Sequence, residues 1–138
     1  MADRVLKARY CYVKVPHRAG QGAAVLGALA EAGVSLLAYS GFPAGGGKAQ
    51  LDFVARSAAP ISRVARRHGW RMSAVKRCFV VQGNDTVGAV YRHLAKLAKA
   101  RISVTAADAV AAGKQRYGML LWVKPRDYVR AAKALGAR

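Results

Sequence analysis

Displaced by 68 positions, the chain matches itself. Gly20 falls on Gly88, Val13 on Val81, Leu26 on Leu94, Leu29 on Leu97, Ala32 on Ala100, Val34 on Ile102, Ser35 on Ser103 and Gly45 on Gly113. Some Ala–Ala matches follow from an Ala-rich composition, but residue types characteristic of strand, loop, helix and strand keep step throughout. An internal repeat constrains a fold more than any single motif, because both copies must adopt one plan. With 138 residues in all, each copy has about 65, a size at which a hydrophobic core is marginal alone. Two copies that share a sheet or a helix layer would be safer.

In the first copy, Tyr10–Val15 reads as a strand, rich in aromatic and β-branched residues. Pro16 to Gly22 is a loop. Ala23–Ala32 is helical, with Val25, Leu26 and Leu29 on one face and Gly33 as its stop. Val34–Tyr39 reads as a second strand, Gly45-Gly46-Gly47 as a hairpin tip, and Lys48–Arg56 as a third strand. Pro60–His68 is a short helix and Trp70–Val75 a fourth strand. In the second copy, Arg77–Gln82 is a strand, Gly83 to Gly88 the loop, and Gly88–Ala100 the clearest helix. Its apolar stripe is Val90, Tyr91, Leu94, Leu97 and Ala98, which puts His93 on the exposed basic side. Ile102–Val110 and Arg116–Val123 are strands, and Pro125 opens a last helix. The chain reaches Arg138 without a clear eighth strand; either Arg4–Ala8 or a partner chain would supply that edge.

The pattern is α+β: two ferredoxin-like βαββαβ repeats with antiparallel sheets and helices on one face. The boundaries expected are 1–76 for the first domain and 77–138 for the second. Cys11 and Cys78 lie apart in strand-like runs, as buried free thiols of a reducing cytoplasm would. The start MADRVLKARY has no apolar signal region, and no apolar run approaches the length of a membrane span, so a cytoplasmic protein is expected.

Two stretches carry a resemblance. VPHRAGQGAAVLGALAEAGVSL and VQGNDTVGAVYRHLAKLAKARISV both look like the opening of an ACT domain: a strand, a short polar loop ending in Gly, a helix, a small turn and a second strand. GGGKAQLDFVA and AAGKQRYGMLLWVK look like that family's second hairpin. The likeness spans nearly the whole chain. It departs from the family where a Pro often precedes the loop glycine, here Ala19 and Val87, and where an Asn often opens the second strand, here Ser35 and Ser103.

The resemblance implies a regulatory module that binds a small molecule, commonly an amino acid, at interfaces between copies near the first loop, and that self-associates. Carried over by position, the ligand-binding candidates are His17, Arg18, Ala19, Gly20 and Gln21 in one copy and Asn84, Asp85, Thr86, Val87 and Gly88 in the other. Ser35 and Ser103 would contribute from a neighbouring second strand. A loop glycine lets backbone approach a ligand, and a helix N-terminus offers amides to a carboxylate. The same residues have plainer roles as well. Gly20 and Gly88 permit a tight turn, and Asp85 and Thr86 suit a helix cap. The loops have diverged, from His-Arg-Ala to Asp-Thr-Val, so the copies need not bind the same thing.

No catalytic constellation is present. The three histidines have no metal-ligand spacing, the six acids are scattered, and Gly45–Gly47 precedes a strand, not a helix, so it is a poor phosphate loop. Neither an enzyme nor a bound cofactor or metal is expected. The charge points to a rival partner. Lys and Arg number 24 against 6 acids, a net charge of +18. The cations gather on the helices, at Arg63, Arg66 and Arg67, at Arg92, Lys96 and Lys99, and at Arg130 and Lys133. A positive helical face would suit a polyanion, nucleic acid included, through backbone phosphates without sequence readout.

Overall fold

Leu29, Phe53, Ile61, Phe79, Leu97 and Leu121 are the largest of the described side chains removed from solvent, and they divide between two separate cores. A computed structural model describes residues 3–138. One compact unit comprises residues 9–76; the other comprises 77–138 together with residues 3–8. The division after Lys76 coincides with the repeat, whereas the start of the chain belongs with the second copy.

In the unit 9–76, the remainder of strand β1 (Arg4–Pro16) pairs antiparallel with β3 (Lys48–Ala55), and β3 with β2 (Ala38–Gly45). Helices α1 (Gln21–Glu31) and α2 (Ala59–His68) cover one face. Alternation sends Cys11 and Val13 of β1 and Leu51, Phe53 and Ala55 of β3 toward them, where they meet Val25, Leu29, Ile61 and Val64. The β2–β3 turn has positive φ at Gly46 and Gly47, as a two-residue hairpin turn demands.

In the other unit, β4 (Lys76–Asn84) pairs with β6 (Arg116–Val123), and β6 with β5 (Val104–Ala111), all antiparallel. Helix α3 (Ala89–Lys99), a 3-10 turn at Pro125–Asp127 and α4 (Tyr128–Leu135) pack on the face that presents Phe79, Val81, Met119, Leu121 and Val123. Phe79 stacks on Tyr128 with ring centroids 4.4 Å apart, and the Tyr128 hydroxyl donates to the Cys78 carbonyl at 2.9 Å. The place of the absent eighth strand is taken by the amino-terminal part of β1, which neighbours β4. Val5 enters this unit's core, and Arg138 pairs with the same segment: its N–H donates to Val5 and its carbonyl accepts from Lys7. Of the two expected suppliers, the chain's own Arg4–Ala8 fills the position.

Three expected elements lie differently. The second strand of each copy starts later, at Ala38 rather than Val34 and at Val104 rather than Ile102. Val34, Leu36 and Ile102 are drawn into the cores as the chain leaves each helix, and pairing begins only beyond them. Trp70–Val75 is not a ladder strand. Ser73 instead makes a reciprocal pair with Tyr12, its N–H donating to the Tyr12 carbonyl and its hydroxyl accepting from the Tyr12 N–H, both at 2.9 Å. On α3 the fully buried line is Ala89, His93 and Leu97, spaced i, i+4, i+8, while Tyr91 is 72% exposed and Ala98 also faces solvent.

The two tryptophans report on separate units, Trp70 on one and Trp122 on the other. Removing residues 1–8 withdraws the buried Val5, Leu6 and Ala8. In a Trp70→Phe background it should lower the stability read from Trp122 fluorescence in urea by roughly 3 kcal/mol. In a Trp122→Phe background the Trp70 transition should move less. An unmoved Trp122 transition would remove the structural role of the segment.

Candidate functional site

Both strand-to-helix loops are built alike. Gly20 (φ 88°) and Gly88 (φ 79°) stand before their helices in the left-handed region that a side chain disfavours. The amide of the first helical residue donates to the loop, Gln21 to the Arg18 carbonyl and Ala89 to the Thr86 carbonyl. The N–H of Ala24 and of Arg92 close on Gly20 and Gly88. Each loop is tied to its hairpin tip by one bond of 2.8 Å, His17 to Gly47 and Asp85 to Gln115. Neither helix has a side-chain cap, so Asp85 and Thr86 do not serve as one. After these bonds the amides of Val90 and Tyr91 are the α3 first-turn donors with no acceptor among the described residues.

What surrounds the loops differs. Beside the second, the Asp3 carboxylate organises a cluster. Its Oδ2 accepts from the Tyr117 hydroxyl at 2.6 Å, lies 2.7 Å from His93 Nε2 and lies 3.5 Å from an Arg92 guanidinium nitrogen. Arg92 also donates to the Thr86 hydroxyl at 3.1 Å, which links the cluster to the loop. Burial by itself would raise the Asp3 pKa, but the hydrogen bonds from Tyr117 and His93, the His93 ring's charge interaction and the Asn84 amide together hold it below the usual carboxylate value. Burial and the adjacent Asp3 carboxylate push the Tyr117 phenol well up, so it stays a neutral donor. His93 is 3% exposed, and its Nδ1 has no partner among the described residues. Gly83 gives the Asp3 carboxylate room in this arrangement: a Cβ there would meet it and the carboxylate would have to shift.

Next to this cluster is a cleft of about 310 Å³. Asp85, Thr86 and Gly88 edge it, Ala89, Val90 and Tyr91 form one wall, and Ala109, Val110, Ala111 and Tyr117 the other. The first copy has the same loop backbone but different side chains there. Val90 and Ala109 correspond to Gly22 and Gly41, and the Tyr39 hydroxyl reaches the places where their side chains would be, 3.5 Å from a Cβ on Gly22 and 2.8 Å from one on Gly41. Tyr39, whose counterpart in the second copy is Ala107, lies over these two positions. The buried acid of the first copy, Asp52, accepts from the Gln50 amide at 2.9 Å, and burial pushes its pKa up.

Of the residues expected at a ligand, Asp85, Thr86 and Gly88 line the cleft. Val87 points wholly into solvent, and the Asn84 side-chain Oδ1 accepts from the Arg116 guanidinium at 2.8 Å. His17, Arg18, Ala19 and Gly20 form an exposed loop, and Gln21, half-buried, begins α1. Ser35 and Ser103 are exposed and follow the far ends of α1 and α3, about 16 Å of helix from the loops of their own units. Sequence reasoning missed Asp3, His93, Tyr117 and the β5 wall, and placed His93 in solvent. A usable signal was present: at the positions of His93 and Tyr117 the first copy has Val25 and Ala49. Two buried apolar positions that turn polar together point to a shared polar partner.

No protein-family profile matches the sequence, and no curated protein matches it. Solved structures do. A protein from Bacteroides thetaiotaomicron aligns with a TM-score of 0.72 at 13% identity over 95% of this chain and 88% of its own. The regulatory subunit of aspartate kinase from Thermus thermophilus, in its ligand-free form, aligns with a TM-score of 0.63 at 14% identity over 98% of this chain and 93% of its own. The corresponding subunit from Thermus flavus gives 0.58 at 17% identity over 98% and 94%. At these identities the shared property is the fold, over nearly the full length of both chains.

The Asp3 cluster makes a pH-dependent contribution to stability. A carboxyl held below its unfolded value stabilises above about pH 4, and that contribution is lost as pH falls through its folded value. Asp3→Asn should therefore cost about 1–3 kcal/mol at pH 7, with the gap from the parent closing in urea titrations run at successively lower pH below about 4. A gap that stays constant down to pH 2 would mean that the Asp3 charge contributes nothing.

Proposed function

We propose, for a chain that folds as a tandem of ACT-type units, that it is a non-catalytic regulatory protein sensing a small metabolite, an amino acid or a close relative, in the cleft of its second copy. The open cleft carries this reading. It has a neutral phenol and small aliphatic side chains on its walls, a carboxylate and a hydroxyl at its edge, and free amides at the start of α3. Asp85 suits an ammonium group, the Val90 and Tyr91 amides suit a carboxylate, and the walls suit an apolar side chain. The full-length alignment with regulatory subunits of aspartate kinase supports a regulatory role. The first copy, with Tyr39 over the equivalent positions, is the structural partner.

We further propose that the molecule self-associates through β5. This strand lies at the edge of its sheet and is exposed along nearly its whole length, with Ala107, Ala109 and Ala111 on one face and Ala106 and Val110 on the other. An unpaired apolar edge of this kind templates a second strand. It also forms one wall of the cleft, so a second copy docked there would close over a ligand.

A thermal-shift screen of the amino acids and related metabolites should give a hit, worth about 2.7 kcal/mol at a hundredfold excess over Kd. Ala109→Trp should abolish the shift without changing the melting temperature of the free protein, and Arg18→Ala should leave the shift intact. Silence across the screen would sink the sensing reading. Sedimentation addresses the edge separately: Ala107→Lys should move the protein toward monomer, and an unchanged distribution would exclude β5 as the contact.

A further inference from the structure

We infer that the outer face of α3 and α4 is a nucleic-acid surface that grips backbone phosphates. The two helices pack on one another, and the Arg130 guanidinium on α4 donates to the Ala100 carbonyl at the end of α3 at 3.2 Å, which joins their cations into one patch. Lys96, Lys99, Arg101, Arg126, Arg130 and Lys133 are all exposed. Of these six, only Arg130 has an acidic partner among the described residues, Asp127 at 3.0 Å.

A basic helix face is often no more than a solvated surface. The duplication provides an internal control. At the positions of Lys96, Lys99 and Arg101 the first copy carries Ala28, Glu31 and Gly33. The same fold therefore forms without these charges, and even with an acid among them. Arg101 goes further. It has φ 58° in the left-handed region, where the first copy uses Gly33 at φ 71°, so a cation is kept at a position that backbone strain disfavours. Gly at this position would remove the strain, as in the first copy, and solubility alone does not call for a cation there.

The chemistry selects among anionic partners. A protein partner calls for a buried aromatic or aliphatic anchor within the patch. Beyond the first turn of α3, the large exposed hydrophobic residue on these two helices is Val129 alone. No exposed aromatic is placed there to stack on bases. Flexible cations without apolar anchors match a regular array of phosphates, bound with little sequence preference and strong dependence on salt. This surface is separate from the cleft and does not depend on the ligand reading.

Fluorescence anisotropy with a mixed-sequence DNA duplex and a single-stranded RNA as probes tests it on the full chain. Binding should appear at about 50 mM salt, with a steep negative slope of log affinity against log salt. Giving α3 the residues of α1, as Lys96→Ala, Lys99→Glu and Arg101→Gly together, should reduce that slope by about 2–3 and lower affinity more than about tenfold. A matched triple in the other unit, Lys14→Ala, Lys48→Glu and Arg71→Gly, removes the same charge and should cost at least about threefold less. The milder pair Lys96→Gln and Lys133→Gln gives the same comparison should the triple fold poorly. No binding of either probe at about 50 mM salt would overturn the proposal. Equal losses in the two triples would assign binding to net charge alone and overturn it as well. So would poly-glutamate bound as tightly as the oligonucleotides and lost through the same substitutions.

Discussion

The second unit depends on how its sheet edge is closed. β4 needs a neighbour on the side away from β6, and in the sheet order that neighbour is β1. A row of unpaired N–H and C=O groups beside an apolar core would expose backbone and invite foreign strands. Residues 4–8 close that edge, with Val5 in the core and Arg138 paired to the outer side of the segment. Asp3 then anchors it by accepting from Tyr117 and meeting His93 and Arg92. A buried carboxylate is costly unless its oxygens are satisfied, and three side chains and an amide satisfy this one. The closure and the candidate site are thus one construction: Tyr117 holds Asp3 with its hydroxyl and walls the cleft with its ring.

That construction accounts for how two copies of one plan have separated. Val25 and Ala49 fill the first core where His93 and Tyr117 stand in the second, and Val15 occupies the place of Gly83. These changes form a set. Asp3 needs donors, and in this arrangement it lies against a position without a Cβ. In the first copy the glycines are elsewhere, at Gly22 and Gly41, and there they admit the Tyr39 side chain. One copy uses its small residues to admit a tyrosine and the other to dock a strand.

The parts of this legible in sequence are those set by local periodicity and by the repeat. The helices, the hairpin tips and the order of elements follow from apolar spacing and from glycines that tolerate positive φ. The strand starts were misplaced because Val34 and Ile102 are apolar for the sake of the core and not for pairing. Trp70–Val75 has strand composition, yet a serine hydroxyl takes a bond that a ladder would have used. His93 was misjudged because hydropathy ranks histidine as polar, and its partner lies 90 positions away in sequence. The loop residues Asp85, Thr86 and Gly88 were readable from the repeat. The opposite wall was not, because β5 reaches the cleft through sheet pairing that no local pattern encodes.

The second unit also carries more strain than the first. Arg101, Lys114 and Gln115 adopt positive φ where the first copy has Gly33, Gly46 and Gly47. Each costs on the order of 1–2 kcal/mol, a burden that a domain of this size bears only if other contacts offset it. The docked strand and the Asp3 cluster are contacts of that magnitude, and they exist only in this unit. The same unit therefore has both the stability to hold unfavourable backbone and the side chains that benefit from it. α3 runs through all of these features. Its first turn walls the cleft, its middle buries His93 against Asp3, and its last turn and the Arg101 beyond it present cations. A ligand that shifted α3 along or about its axis would change the phosphate-facing surface at the other end, and by linkage a polyanion bound there would change ligand affinity by the same factor.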